Sequence, residues 1–193
     1  MGRPARFPAD LILDGAARLL AEGGPGAATT TAVAAAIGAP SGSLYHRFGS
    51  RDLLLARLWV RTVGRFQAVF LAALAHPDLD RAAVDAAVAV PVWCRAHPDE
   101  ARVLLLHRRA ELVGRWPAEL DGELATLNDA VAAALAEHTR RRYGTAGGAE
   151  LARATFALVD VPHAAVRRHV AAGVAPPAEV DALVRETVAA LLG

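Results

Sequence analysis

The sequence contains no lysine: all 21 of its basic residues are arginine, a uniformity that reads as coding bias and carries little functional weight. Cysteine occurs once, as Cys94, which excludes an intramolecular disulfide and fits a reducing compartment. Aromatic residues make up only 5% of the chain. Beside long Ala/Leu/Val stretches this is poor material for β-sandwiches, which draw on β-branched and aromatic side chains. No uninterrupted apolar stretch reaches the roughly 18–20 residues needed to cross a bilayer. Residues 1–6 lack the apolar core of a secretory signal. The expected location is the cytoplasm, with no membrane association.

What is present is alanine. The apolar fraction is 54% with a mean hydropathy of +0.28, and much of it is the best helix former, so the expected fold class is all-α. A length of 193 residues fits one medium domain or a small domain fused to a larger one. Charge is unevenly spread. Residues 1–65 carry eight arginines against four acids, a net of +4, whereas residues 66–193 carry thirteen against sixteen, a net of −3. A basic head on a mildly acidic body suggests that the head meets a polyanion.

Periodicity and punctuation outline about nine helices. The first is expected over residues 8–22, stopped by Gly23-Gly24-Pro25-Gly26. A second opens at the threonines 29–31 and runs to Ile37. After Gly38 and Pro40 a third spans about 41–47, and Ser50 caps a fourth that ends near His76-Pro77. Longer helices follow over about 81–96, kinked by Pro91, then 99–113, 118–142, 149–172 with an interruption at Pro162, and from Pro176-Pro177 to the end. The division reads as a short, basic N-terminal head, 1–50, and a larger helical body, 51–193.

Residues 29–54 read TTTAVAAAIGAPSGSLYHRFGSRDLL, the helix, glycine turn, helix layout of a helix-turn-helix. Ala34, Ala35 and Ala36 let the helices approach, and Gly38 permits the sharp turn. Leu44 and Phe48 face the core. Ser41, Gly42, Ser43, Tyr45, His46 and Arg47 are left free for the major groove, where Arg47 can neutralise a phosphate or fork onto a guanine.

In order and spacing, this segment resembles the N-terminal signature of TetR-family transcriptional repressors over roughly residues 8–60. The resemblance implies that Thr29 and Thr31 sit at the phosphates or just inside the groove. It also implies that Ser41, Gly42 and Ser43 face bases or backbone, that Tyr45 bonds a phosphate with His46 and Arg47 beside it, and that Arg51 lies near the DNA backbone. Pro40-Ser41 replaces a Ser-Lys pair common in the family, removing a positive charge at the groove. Arg3 and Arg6 of the tail could lie in a minor groove.

For the body, the resemblance implies a homodimer through the helices at about 149–172 and 177–192. The pair of heads would then read a palindromic operator in double-stranded DNA. The middle helices, about 81–142, would enclose a pocket for a small, largely apolar effector. Its expected lining is Trp93, Cys94, His97, Leu104, His107, Trp116 and Phe156. Ligand entry would shift the fourth helix and release the DNA. No catalytic residue, cofactor or metal site is expected, since the Glu-x-x-His pairs of all-α metal bundles are missing and Cys94 with His97 has no supporting motif. Three rivals remain: a Cys94 thiol redox sensor on the same fold, a DNA-binding protein with no sensing function, and an all-α enzyme.

Overall fold

The computed structural model describes residues 7–106 and 116–193, and among these no strand occurs. The helices are α1 (Ala9–Gly23), α2 (Thr30–Ala36), α3 (Ser41–Phe48), α4 (Arg51–Leu74), α5 (Leu79–Ala96) and α6 (Pro98–Leu106). A 3-10 turn at Ala118–Leu120 then runs into a short segment, Asp121–Ala125, before α7 (Asp129–Tyr143). Helix α8 joins Gly148–Thr155, Phe156–Asp160 and Val161–Ala171 in succession, and α9 is Glu179–Leu192. The expected helix over 99–113 is described only to Leu106.

Local chemistry sets the boundaries. Thr29 Oγ1 accepts the Ala32 N–H at 3.1 Å, and Ser50 Oγ accepts that of Leu53 at 3.0 Å. Asp78 Oδ1 accepts the N–H groups of Asp80 and Arg81, both at 3.0 Å. Each side chain thereby satisfies a donor that the first helical turn leaves unpaired.

The buried side chains form two clusters. One gathers Ile12 and Leu20 of α1, Val33 of α2, Leu44 and Phe48 of α3, and Leu54, Leu55 and Leu58 of α4, together with Val103 and Leu120. The other holds Phe70 and Leu74 of α4 with Val90 and Trp93 of α5, Leu158 and Val166 of α8, and Val180, Val184 and Val188 of α9. The first cluster therefore continues past residue 50. Each fully buried leucine contributes on the order of 1.5–3 kcal/mol, so α4 is held firmly at both ends. A bidentate Arg95–Asp181 pair, at 2.9 and 2.5 Å, ties α5 to α9.

Three expectations about elements change. The single helix expected over 118–142 is broken at residues 126–128. There Leu127 N–H reaches Leu124 O at 3.4 Å and Asp129 N–H reaches Thr126 O at 3.1 Å, the tight spacing of turns. Gly122, Thr126 and Asn128 are the poor helix formers in that run, and Thr126 Oγ1 donates to the Gly122 carbonyl at 3.1 Å. Pro162 does not stop α8. The backbone widens ahead of it into one π turn, Phe156–Asp160, with Val161 N–H bonded to Phe156 O, and the helix absorbs the missing donor. Of the alanines expected to let the two helices of the helix-turn-helix approach, only Ala34 is buried, while Ala35 and Ala36 face outward. Between α1 and α2 a close approach occurs at Gly15, where a Cβ would lie 2.7 Å from Ile37 Cγ2.

His138 of α7 is 3% exposed, and neither ring nitrogen has a hydrogen-bond partner. Burial first, then the charges of Arg142 and Arg141, pushes its pKa below the usual 6.5. The unfolded chain accepts this proton near its ordinary value, the folded chain only at lower pH, so protonation favours unfolding. The stability at stake is intact above about pH 6.5 and declines as pH falls through the window below it. Urea unfolding at about pH 5 and pH 7.5 should show a smaller acid loss in His138→Leu than in the parent. An equal loss in both chains counts against this role.

Candidate DNA interface and effector cavity

The turn between α2 and α3 is built on Gly38 at φ +66°, in the left-handed region that side chains avoid. The Ala39 N–H closes back on the Ala34 carbonyl at 2.9 Å. Pro40, at φ −61°, then leads into α3, and Gly49 ends that helix with its N–H on Tyr45 O at 2.8 Å. Within α3, Leu44 and Phe48 are buried in the first cluster. Their position forces the opposite side outward: Ser41, Gly42, Tyr45, His46 and Arg47 are exposed, and Ser43 is half-buried. Tyr45 is 54% exposed, among the most exposed of the large hydrophobic side chains. A Cβ on Gly42 would meet nothing within 4 Å. Thr31 is exposed in the first turn of α2, beside the capping Thr29. Of the nine expected DNA-facing residues, Thr29, Thr31, Ser41, Gly42, Tyr45, His46 and Arg47 are exposed and Ser43 is half-buried.

Arg51 departs from the others. Its Nε donates to the Ala28 carbonyl at 3.1 Å and its Nη2 to the Pro25 carbonyl. It braces the start of α4 against the α1–α2 loop, so its guanidinium serves the protein's own backbone. The tail arginines Arg3 and Arg6 lie outside the described residues.

A cavity of about 250 Å³ lies in the body. One wall is α4, through Trp59, Val63, Phe66, Gln67 and Phe70. Opposite stand Leu104 of α6, Asn128 and Val131 at the start of α7, and Val159 and His163 of α8. Gln67 Nε2 donates to Asn128 Oδ1 at 3.0 Å. His163 Nδ1 lies 2.7 Å from the Val159 carbonyl, and the imidazole meets Phe66 edge-on with centroids 5.7 Å apart.

Of the expected pocket residues, Leu104 lines this cavity. Trp93 is buried behind it, edge-on to Phe66 at 5.3 Å. His97 is exposed at the end of α5, its ring 5.3 Å from that of Trp93. Cys94 is buried and borders a separate cavity of about 140 Å³ with Arg102 and Gly173. Trp116 packs on the first cluster. Phe156 points outward, half-exposed, and His107 lies outside the described residues. Reasoning from the aromatics of α5 and α8 missed the wall supplied by α4. A signal was available: 59, 63, 66, 67 and 70 share one helical face, and Gln67 is a polar residue on an otherwise apolar stripe.

The outer side of α4 meets α1 and α6 through charge. Arg61 lies 3.1 Å from Asp10 and 2.8 Å from Asp14 of α1, and Arg65 lies 2.7 Å from Glu100 of α6. Arg61 also reaches Glu100 at 3.3 Å. Glu100 is only 6% exposed, and a buried carboxylate persists only when paired. The helix that walls the cavity is therefore ion-paired to the first helix of the head.

The chain thus joins a helix-turn-helix head to a cavity-bearing helical body through one continuous helix, α4. Residues 12–58 match the family model described as bacterial regulatory proteins, tetR family. The head is thus similar to that family over these residues, and nearly the whole chain shares its fold with solved bacterial regulators. FadR, the fatty acid degradation regulator from Bacillus halodurans, is 20% identical with a TM-score of 0.73, over 96% of this chain and 98% of its own. PfmR from Thermus thermophilus is 20% identical with a TM-score of 0.73, over 94% and 96%. FadR from Bacillus subtilis, solved in complex with stearoyl-CoA, is 15% identical with a TM-score of 0.73, over 96% and 98%. No curated protein matches the chain. No described helix is long and apolar enough to cross a membrane.

Burial raises the Cys94 pKa to about 11, against a smaller lowering by Arg95. The reactive thiolate is scarce at neutral pH. Alkylation of the folded protein should be slow at about pH 7.5 and still accelerating at pH 10, and a plateau near pH 8 would contradict the burial. Arg51→Ala should lower stability by about 1–3 kcal/mol, because it removes charged donors from two carbonyls. Thermal unfolding of the variant checks this, and an unchanged midpoint would return Arg51 to the DNA-facing set.

Proposed function

We propose that the protein is a transcriptional repressor that binds a palindromic operator as a homodimer and releases it when a small, largely apolar effector fills the cavity lined by α4. One observation carries this reading. Helix α4 supplies a wall of the cavity and, on its other side, the arginines that hold α1 against the body. An occupant that displaces α4 acts on the head through contacts already in place.

At the DNA, Tyr45 and Arg47 are the principal phosphate and base contacts, with His46 beside them. Ser41, Gly42 and Ser43 allow close approach, and Thr29 and Thr31 touch the backbone from α2. One short recognition helix reads few base pairs, so two heads related by a two-fold axis are needed. The partner interface falls on α8 and α9. Much of the apolar stripe of α9, Val180, Val184, Val188 and Leu192, is used within the chain, so the surface left for a partner includes the exposed Leu183 and Phe156. Bacillus subtilis FadR, solved with stearoyl-CoA bound, supports the choice of an apolar effector, since a protein of the same fold holds a ligand with an apolar chain. Regulation of bacterial DNA places this protein in the cytoplasm, and the reading needs no catalysis, cofactor or metal.

A gel shift on the protein's own promoter region, repeated across salt concentrations, tests the reading. Affinity should fall as salt rises, since phosphate neutralisation releases counterions. Arg47→Ala should cost about 5- to 150-fold in affinity, the range for a lost arginine contact to DNA. Salt-independent binding, or no binding to any duplex, removes the proposal. Glu100→Gln should leave effector affinity intact and reduce the effector's leverage on DNA, itself a coupling of about 1–3 kcal/mol. Full release in that variant would show that the α1–α4–α6 ion pairs carry no signal.

A further inference from the structure

The polar groups of the cavity are specific enough to define the chemistry of what enters it. His163 Nδ1 is held 2.7 Å from the Val159 carbonyl. A carbonyl only accepts, so in the neutral ring Nδ1 carries the hydrogen and Nε2 is left with its lone pair. Nε2 has no protein partner among the described residues, and His163 lines the cavity. The contact spans the end of the π turn, Phe156–Asp160, a widening that often marks functional sites in helices. Phe66, edge-on to the imidazole, fixes the ring plane. The other polar groups of the described wall are the Trp59 indole N–H and the amides of Gln67 and Asn128, which are joined by one hydrogen bond at 3.0 Å. Among them the imidazole Nε2 is the acceptor held in place by a ring of fixed tautomer and plane, against a mostly aromatic and aliphatic surface. The volume, about 250 Å³, exceeds the roughly 150 Å³ engineered cavity that holds benzene and falls below the ordinary range for drug-sized ligands of about 300–1,000 Å³.

We propose that the cavity selects a compact, uncharged, ring-containing molecule with one hydroxyl, which donates its hydrogen to Nε2 of His163. This deepens the regulator reading and rests on its assignment of the cavity as the effector site. The ring packs among Trp59, Phe66 and Phe70. The hydroxyl proton sits between the ligand oxygen and the imidazole without being transferred. His163 then acts as a specificity residue: it separates a hydroxyl-bearing ligand from a hydrocarbon of the same outline, because an unmet acceptor in an apolar wall disfavours the latter.

The test uses the full chain and four probes of one shape: 4-tert-butylphenol, its methyl ether, tert-butylbenzene and 4-tert-butylbenzoate. Binding is read by calorimetry and by quenching of the tryptophan fluorescence, to which Trp59 contributes. The phenol should bind about five- to tenfold more tightly than the ether or the hydrocarbon, the worth of one hydrogen bond to an uncharged partner, and the benzoate should bind weakest. In His163→Phe, which keeps an aromatic ring against Phe66, that preference should vanish while hydrocarbon binding persists. The wild-type preference needs no variant, so a misfolded His163→Phe leaves the test intact. Equal binding of phenol, ether and hydrocarbon overturns the proposal, as does a preference for the benzoate, no binding of any probe, or a preference that survives His163→Phe. Promoter binding measured without probe separates the two claims. If it holds while the probes are not distinguished, only the ligand assignment falls. If it fails, the regulator reading falls and the probe series still judges the cavity.

Discussion

Helix α4 is built into two hydrophobic clusters at once, and this shared membership is the constraint on which the other features depend. Leu54, Leu55 and Leu58 belong to the head, Phe70 and Leu74 to the body, with no flexible linker between them. A packed core repacks between discrete arrangements instead of deforming smoothly. Movement at the Phe66 end of such a helix must therefore appear at its Leu54 end or be absorbed by strain. The ion pairs of Arg61 and Arg65 extend the same constraint to α1 and α6. Glu100 sits at their centre with little solvent to compensate for a lost partner, so the cluster favours staying whole over being partly broken.

The head was largely legible in the sequence because its determinants are local. A glycine at a left-handed turn, a hydroxyl ahead of a helix, and two core-facing side chains four apart, Leu44 and Phe48, are sufficient to orient α3. The body was legible as helices and much less so as a site. Trp93 and Cys94 looked like pocket residues by type, yet their position on α5 buries them in packing. The cavity depends on which faces of α4, α7 and α8 meet across long chain separations, and a periodicity argument does not report that.

Arg51 and Pro162 show why residue type alone misleads. Beside a recognition helix an arginine suggests phosphate, but the carbonyls of Pro25 and Ala28 lie within its reach and take its donors. A proline inside a helical pattern suggests a break, but one widened turn removes the clash and keeps α8 running. Both outcomes follow from how backbone polar groups are satisfied, which only the three-dimensional neighbourhood decides.

The outward rim of α3 bears on how the surface of this fold can change. Gly42 has open space where a side chain would go, and Tyr45, His46 and Arg47 stand clear of the core. Replacing them perturbs folding little, since Leu44 and Phe48 alone anchor the helix from behind. On the proposed reading, target-site preference can drift in descendants of this chain without a matching toll on the scaffold, and new operators can be acquired one rim position at a time.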